Sequence, residues 1–187
     1  MMLALMMLAV AEWTLSAALE AAVVETPAKV FWSQAEYLGM QSAIPLLLLF
    51  VLSYLGRWSS VSWPRVVALF AVPLVTVAMA WTNQWHGLVW PYFRRGDEAA
   101  NVLIYGHGPA FWVSVVYSYF VLLIAVAALL SALRHERKVI HRQIVAMVIG
   151  CLFPAVAGLA YLLGVAPIPG LDWTPVGCAV TGGALLW

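Results

Sequence analysis

Three polar residues interrupt the first hydrophobic stretch of the chain, which extends from residue 1 to residue 24. Glu12, Ser16 and Glu20 follow one another at intervals of four residues, so a helix would place them on one face. A carboxylate at membrane depth is costly unless it has a partner, a proton or a water-filled cavity. The spacing therefore predicts an inward-facing polar surface, where Glu12 either binds a ligand or a proton or makes only structural hydrogen bonds.

Further polar and aromatic side chains stand at the ends of later hydrophobic stretches, on what should be one side of the membrane. Because every second connection returns the chain to that side, we expect these side chains to converge on an outward-facing pocket. A helix cap or an interface anchor is the alternative role for each residue taken alone. With Glu12, the predicted ligand-binding residues are Trp32, Glu36, Tyr37, Asn83, His86, Trp112, Asp172 and Thr174.

The four histidines and two cysteines do not form a pattern typical of a cofactor or metal site. His86 and His107 fall in one outer loop, and His135 and His141 fall in a basic loop on the other side. A bis-histidine haem needs two imidazoles at matching depth inside a bundle. We therefore expect no cofactor and no metal, and the net charge of +1 gives no basis for nucleic-acid binding.

The composition is typical of a multi-span membrane protein. Hydrophobic residues make up 65% and charged residues 9% of the 187 positions, whereas soluble domains are roughly 45–50% apolar and about 25% charged. We predict an all-α integral membrane helical bundle with five full spans and a truncated sixth, because a span needs about 20 apolar residues. The predicted spans cover residues 1–24, 34–55, 66–82, 109–133, 144–164 and 175–187.

The distribution of Lys and Arg predicts how these spans are oriented. The connections 57–65 and 134–143 together carry six such residues, whereas the connections on the opposite side carry three. Cytoplasmic loops are enriched in Lys and Arg. The first span is therefore expected to run from inside to outside, which makes residues 83–108 and 164–174 the outer loops.

The longer outer loop contains two stretches typical of β-strands, residues 88–93 and 101–105. Turn-forming residues, 94–98, lie between them. This pattern predicts a short extracellular β-hairpin that lies over the mouth of the bundle, with an irregular loop as the alternative.

Six short motifs stand along the chain in a distinctive order. They are WSQAEYLG at 32–39 followed by Pro45, FVLSYLGR at 50–57, TNQWHGLVW at 82–90, GPAFW at 108–112, RQ at 142–143 and PIPGLDWTP at 167–175. Their order and spacing resemble the seven-transmembrane sensor region at the N-terminus of many bacterial histidine kinases. The resemblance covers nearly the whole chain from about Trp13.

The resemblance implies a multi-pass sensor in the bacterial inner membrane that passes a signal to a cytoplasmic output domain in the same protein. The ligand would be an unidentified small molecule or lipid, membrane lipids would be further partners, and a kinase output would require a homodimer. Because the family has seven helices, residues 1–187 are expected to form one transmembrane domain that lacks the first helix, part of the last and the output domain. No enzymatic activity is expected of this part.

A small-molecule or proton-coupled membrane transporter is the alternative function. Glu12 and Glu20 would then form the coupling site. Transporters commonly contain internal repeats with broken helices, and the two halves of this sequence show no convincing repeat. Under the sensor hypothesis, Glu36→Ala and His86→Ala are both expected to abolish ligand-dependent output.

Overall fold

The computed structural model of the chain describes residues 1–96, 101–133, 138–165 and 173–178. Five helices in this part are long and apolar enough to cross a membrane, which makes the chain a multi-pass membrane protein and confirms the five predicted spans. A short helix, α4, follows α3, and residues 174–178 form one further helical turn. The helices are α1 Met2–Ala22, α2 Thr26–Tyr54, α3 Trp63–Trp81, α4 Asn83–His86, α5 Pro109–Ala132 and α6 Lys138–Leu162.

The predicted sixth span, residues 175–187, lies mostly outside the described residues. We refer to the described residues 173–178, which include the beginning of this span, as the final segment. The bundle end that carries the hairpin, predicted to face outward, is called the outer end, and the opposite end is called the inner end.

Helix α2 begins at Thr26, eight residues earlier than the hydrophobic pattern predicts. Pro27 lies in its first turn, where the missing backbone N–H leaves no hydrogen bond unmade. With 29 residues the helix is roughly 44 Å long, whereas the hydrocarbon core is about 30 Å thick. Its first turns therefore extend beyond the hydrocarbon. Lys29, which the sequence places in the outer connection between the first two predicted spans, belongs to this helix and is only 3% exposed.

Helix α1 packs mainly against α2, and a glycine at the crossing allows the two backbones to approach closely. A Cβ atom added at Gly39 would lie 2.3 Å from the Ala9 carbonyl oxygen and 2.3 Å from Glu12 Oε2. Small residues at helix crossings are the usual way to bring backbones together in membranes, where packing rather than the hydrophobic effect drives helix association. Gly39 thus fixes the position of α1 beside α2.

Two clusters of buried apolar side chains join the remaining helices. The inner cluster comes from α2, α5 and α6 and includes Val51, Ala125, Leu129 and Ile144, all fully buried. The outer cluster is built around Tyr37, Ala80, Val89 and Trp90. The inner halves of α2, α5 and α6 thus form one packed unit, whereas the outer half is completed by the loop between α4 and the hairpin.

The loop between α4 and α5 contains the predicted β-hairpin. Strand β1 comprises Phe93–Arg95 and pairs antiparallel with β2, Leu103–Tyr105, so that Phe93 lies opposite Tyr105. The hairpin is confirmed, but Arg94 and Arg95 lie in a strand rather than in the turn. Residues 88 and 89 are not in the strand because their carbonyl groups accept hydrogen bonds from the amides of Ala110 and Gly108, at 3.0 and 2.9 Å.

Candidate functional site

Glu20 is the centre of a buried polar cluster at the outer end of α1. Lys29 Nζ lies 3.7 Å from Glu20 Oε1 and donates to the Glu20 backbone carbonyl at 2.8 Å. The Tyr105 hydroxyl donates to Glu20 Oε1 at 3.1 Å, and Ser33 Oγ donates to the Tyr105 hydroxyl at 2.6 Å. The cluster therefore gives the costly carboxylate both a counter-charge and a hydrogen-bond donor, as a buried ion requires.

Tyr105 carries this cluster into the hairpin. Burial is the main cause that raises the pKa of its phenol far above the ordinary value, and the neighbouring Glu20 carboxylate raises it further. The phenol consequently keeps its proton at any physiological pH and acts as a permanent donor to Glu20. A tyrosine of the hairpin is in this way bonded to the end of α1.

Two more side chains attach the hairpin to the connection between α1 and α2. Asn101 Nδ2 donates to the backbone carbonyls of Ala21 and Val23, both at 3.0 Å, and so supplies donors to the free carbonyl end of α1. Arg95 Nη2 lies 3.4 Å from Thr26 Oγ1 at the start of α2. The hairpin thus lies over the outer ends of α1 and α2 and holds them together.

Glu12 and Glu36 both lie at the contact between α1 and α2. Ser16 Oγ donates to Glu12 Oε1 at 2.9 Å, whereas Glu12 Oε2 is buried and has no hydrogen-bond partner among the described residues. Trp13 Nε1 donates to Glu36 Oε1 at 2.7 Å. The polar face of α1 is therefore turned toward α2, and the two carboxylates are held by different donors of α1.

Trp32 and Tyr37 both contact other aromatic rings. Tyr37 is 5% exposed, and its ring packs edge-to-face with Trp90 at a centroid distance of 5.2 Å. Trp32 packs in the same edge-on manner against Phe31, at 5.3 Å. Both side chains thus belong to the aromatic packing of the outer half.

Asn83 organises the loop that follows α4. Its Oδ1 accepts hydrogen bonds from the amides of Val89 and Trp90, both at 3.0 Å, and its Nδ2 donates to the Trp90 carbonyl at 2.9 Å. His86 is exposed and forms local contacts, with Nδ1 accepting from the Leu88 amide at 3.0 Å. Both residues shape this loop, and their predicted role in ligand binding stays a prediction.

His107 and Trp112 form an aromatic cluster at the start of α5. The His107 ring stacks on Phe111 at 4.0 Å, and its Nε2 lies 3.2 Å from the hydroxyl of Tyr161 in α6. Partial burial lowers the pKa of His107. Trp112 is 46% exposed and meets the His107 ring edge-on.

No group of three or more His, Cys, Asp or Glu within the described ranges could hold a metal ion.

A cavity of about 210 Å³ lies between α1, α2, α5, α6 and the final segment. Of the eight predicted ligand residues that the structure describes, only Thr174 lines it, and Asp172 lies outside the described residues. Apolar side chains form most of the wall. The lining includes Met6, Val10, Trp13, Met40, Gln41, Ala43, Ile44, Leu47, Phe50, Phe111, Ser114, Ser118, Tyr119, Leu122, Met147, Cys151, Pro154, Gly158, Tyr161, Thr174 and Cys178.

Gln41 and Ser114 are two polar residues of this wall that were not among the residues predicted from the sequence. Gln41 is 3% exposed, and its Nε2 donates to Ser114 Oγ at 3.2 Å, joining α2 to α5. The available signal was a polar side chain inside an apolar membrane span, the same signal that singled out Glu12. An amide and a hydroxyl are milder interruptions than a carboxylate, so the signal was weaker.

Comparison with known families gives one assignment. The family described as the N-terminal 7TM region of histidine kinase matches residues 1–187. No curated protein and no solved structure matches the chain significantly. The match extends over every described helix and both strands, and the five spans with the outer hairpin are consistent with it. The chain belongs to the family of N-terminal seven-transmembrane regions of histidine kinases.

Proposed function

We propose that this domain is a membrane-embedded sensor of the bacterial inner membrane, which binds its ligand in the cavity and passes the signal to a cytoplasmic output domain, a histidine kinase or similar. The family assignment supports signalling as the role of the domain. The observation that carries the choice of site is that the cavity wall includes the final segment, through Thr174 and Cys178, beside four long helices.

A ligand in this cavity would touch both the helical bundle and the final segment. Gly177 of this segment lies against Phe153 and Pro154 of α6, and Thr174 lies beside Gly158 one turn further along α6. A ligand shifts a conformational equilibrium only if it binds the two states with unequal affinity. Since the final segment forms part of the wall, a displacement of this segment along α6 would change its contacts with the ligand. The ligand would then bind the two positions of the segment with unequal affinity.

The inner ends of the neighbouring helices are tied together, which favours the final segment as the moving part. The Tyr54 hydroxyl donates to Gln143 Oε1 at 2.6 Å and joins α2 to α6. Arg57 Nη2 donates to Ser131 Oγ at 3.3 Å and joins the region after α2 to α5. With the inner cluster between them, α2, α5 and α6 are suited to act as a fixed frame against which the final segment moves.

The outer residues predicted as ligand contacts keep a role in this proposal. Glu36 accepts the indole hydrogen of Trp13, and Trp13 lines the cavity, so the carboxylate positions one wall of the site. Glu12, the residue before Trp13 in α1, lies against Gly39 of α2. Asn83 and His86 shape the loop that leads into the hairpin. They would affect ligand binding through the packing of the outer half rather than by contact with the ligand.

A cavity-filling variant tests the site in the protein that carries its output domain. Residue 118 lines the cavity on α5, so the larger ring of Ser118→Phe would fill part of it. We expect the autophosphorylation rate of this variant in reconstituted membranes to stay at one level and not to respond to ligand. Leu123→Phe is the matched control, because Leu123 is on the same helix but 65% exposed toward lipid. If both variants and the wild type had the same autophosphorylation response, the cavity would be rejected as the ligand site. Counterflow of a solute in liposomes, sensitive to Glu12→Gln, would support the transporter instead.

A further inference from the structure

Gln41 lines the cavity and carries a side-chain acceptor that has no hydrogen-bond partner among the described residues. The side chain is 3% exposed, and its Nε2 already donates to Ser114 Oγ at 3.2 Å. Its Oε1 is buried and has no hydrogen-bond partner among the described residues. Three buried side-chain atoms in the described residues share this property, and the other two, on Glu12 and His141, do not belong to residues that line the cavity. A buried acceptor without a donor is costly, so a bound molecule that supplies the donor gains affinity.

The rest of the wall restricts the chemistry of such a molecule. Among the described residues that line the cavity, none carries a carboxylate, ammonium, guanidinium or imidazole group. A charged headgroup would lose its hydration here without gaining a counter-ion. Two of the hydroxyl groups at the wall already have partners, since Tyr119 donates to the Ala155 carbonyl at 2.9 Å and Tyr161 lies 3.2 Å from His107 Nε2. The absence of charged groups from this part of the wall thus favours a neutral molecule.

Size and amide geometry restrict it further. The cavity has a volume of about 210 Å³ and is partly open, which suits a slender molecule whose chain can extend out of it. The oxygen and nitrogen of a glutamine amide can exchange places in a hydrogen-bond network. A hydroxyl group both donates and accepts, so it satisfies Gln41 in either orientation.

We propose that the cavity binds a neutral, slender amphiphile with a hydroxyl group, of the class of long-chain alcohols and monoacylglycerols. The hydroxyl bonds to the Gln41 amide, and the chain lies among apolar side chains of α2 and α6 such as Leu47, Phe50 and Met147. This inference rests on the proposed function only in taking the same cavity as the ligand site. It adds the chemical class of the ligand and the residue that recognises it.

Photolabelling in lipid nanodiscs tests the ligand class directly. The probe is a long-chain alkanol with a diazirine in its chain, and the labelled residues are read by peptide mass spectrometry. We expect saturable labelling at cavity-lining residues of α5 and α6. Unlabelled alkanol should compete roughly tenfold better than the matched alkane, the ratio expected for one hydrogen bond to a buried group. The matched ionised carboxylate should compete no better than the alkane.

Gln41→Leu tests the recognising residue. Leucine has a similar size and removes the unpartnered amide, and Ser114 can bond to a carbonyl of its own helix, so the variant is expected to fold. We expect it to bind the alkanol roughly tenfold more weakly and to lose the preference over the alkane. Gln34→Leu is the matched control, because Gln34 is on the same helix, bonds to the Ala80 carbonyl at 3.2 Å and does not line the cavity.

The outcomes separate this inference from the proposed function. Labelling outside the cavity only, or equal competition by alkanol and alkane, overturns the ligand class even if Ser118→Phe changes kinase output. Unchanged labelling in Gln41→Leu overturns the role of Gln41. Saturable, Gln41-dependent labelling together with an autophosphorylation rate that ignores the alkanol supports the ligand class and rejects the sensor function of this cavity.

Discussion

Trp13 Nε1 donates a hydrogen bond of 2.7 Å to Glu36 Oε1, and this bond joins α1 to α2. The indole is 5% exposed and lines the cavity, so its N–H has few alternative acceptors. The carboxylate thereby fixes the orientation of a large side chain at the cavity wall. A residue that sequence reasoning assigns to the ligand is therefore also a structural partner of a neighbouring helix.

Replacing Glu36 separates these two roles. Glu36→Gln keeps an oxygen that accepts from Trp13, whereas Glu36→Leu does not. We expect the leucine variant to lower the free energy of unfolding by about 1 kcal/mol, the size of an interhelical hydrogen bond in membranes, and the glutamine variant by less. Reversible unfolding in mixed micelles measures this. Loss of ligand-dependent output in Glu36→Gln at normal stability would instead support direct contact with the ligand.

Gly39 is the position where α1 and α2 tolerate no additional atom. In Gly39→Ala the new methyl group would lie 2.3 Å from the Ala9 carbonyl oxygen, so the helices must separate. We expect a loss of about 1–3 kcal/mol in unfolding free energy, the usual cost of overpacking, measured by reversible unfolding. Gly158→Ala is the control. There the nearest atom is Thr174 Oγ1 at 3.1 Å, which belongs to a side chain, and the loss should be clearly smaller. Equal losses would contradict this account.

The sequence predicted the five spans and the hairpin because hydropathy and turn residues are local properties. It missed the first turns of α2 for a reason that is not local. Ser33 and Lys29 lower the hydropathy of this stretch, yet both are buried because Tyr105 and Glu20 supply their partners. Ser33 and Tyr105 are 72 positions apart, so no window along the chain contains the pair.

The same reason limited the prediction of the site. The spacing of Glu12, Ser16 and Glu20 identified the polar face of α1, because helical periodicity reaches across four residues. The cavity depends instead on which helices are neighbours. Gln41 and Ser114 meet across 73 positions, and neither residue has a local pattern that marks the contact. Residue types indicated polar contacts inside the bundle, whereas the location of the cavity depends on how the helices pack.

Removing one charge of the Glu20–Lys29 pair should destabilise the outer end of the bundle more than removing both charges. Lys29 is 3% exposed and Glu20 is largely buried. Removing one partner leaves an uncompensated buried charge, so Lys29→Met is expected to cost about 3 kcal/mol in unfolding free energy. The double variant Glu20→Gln, Lys29→Met removes both charges and should recover much of this loss. Arg94→Met, an exposed position of the hairpin, is the control and should change little.

The burial of His107 should make stability depend on pH. His107 stacks on Phe111, meets Trp112 edge-on and lies 3.2 Å from the Tyr161 hydroxyl, so the aromatic groups that face it carry no charge. Burial lowers the pKa of His107 in the folded state below its ordinary value of about 6.5. The unfolded chain then binds the proton more readily than the folded protein, and stability falls as the pH decreases.

The stabilisation is complete above about pH 6.5 and is lost progressively as the pH falls through the lower pKa of the folded state. We expect the unfolding midpoint in micelles to decrease on acidification from about pH 7.5 to about pH 5. His107→Phe retains the stacking on Phe111 but cannot be protonated, so it should remove this part of the pH dependence. Tyr161→Phe removes the hydroxyl partner and leaves the buried ring, so its pH dependence should persist. A pH profile of His107→Phe identical to that of wild type would show that another group titrates.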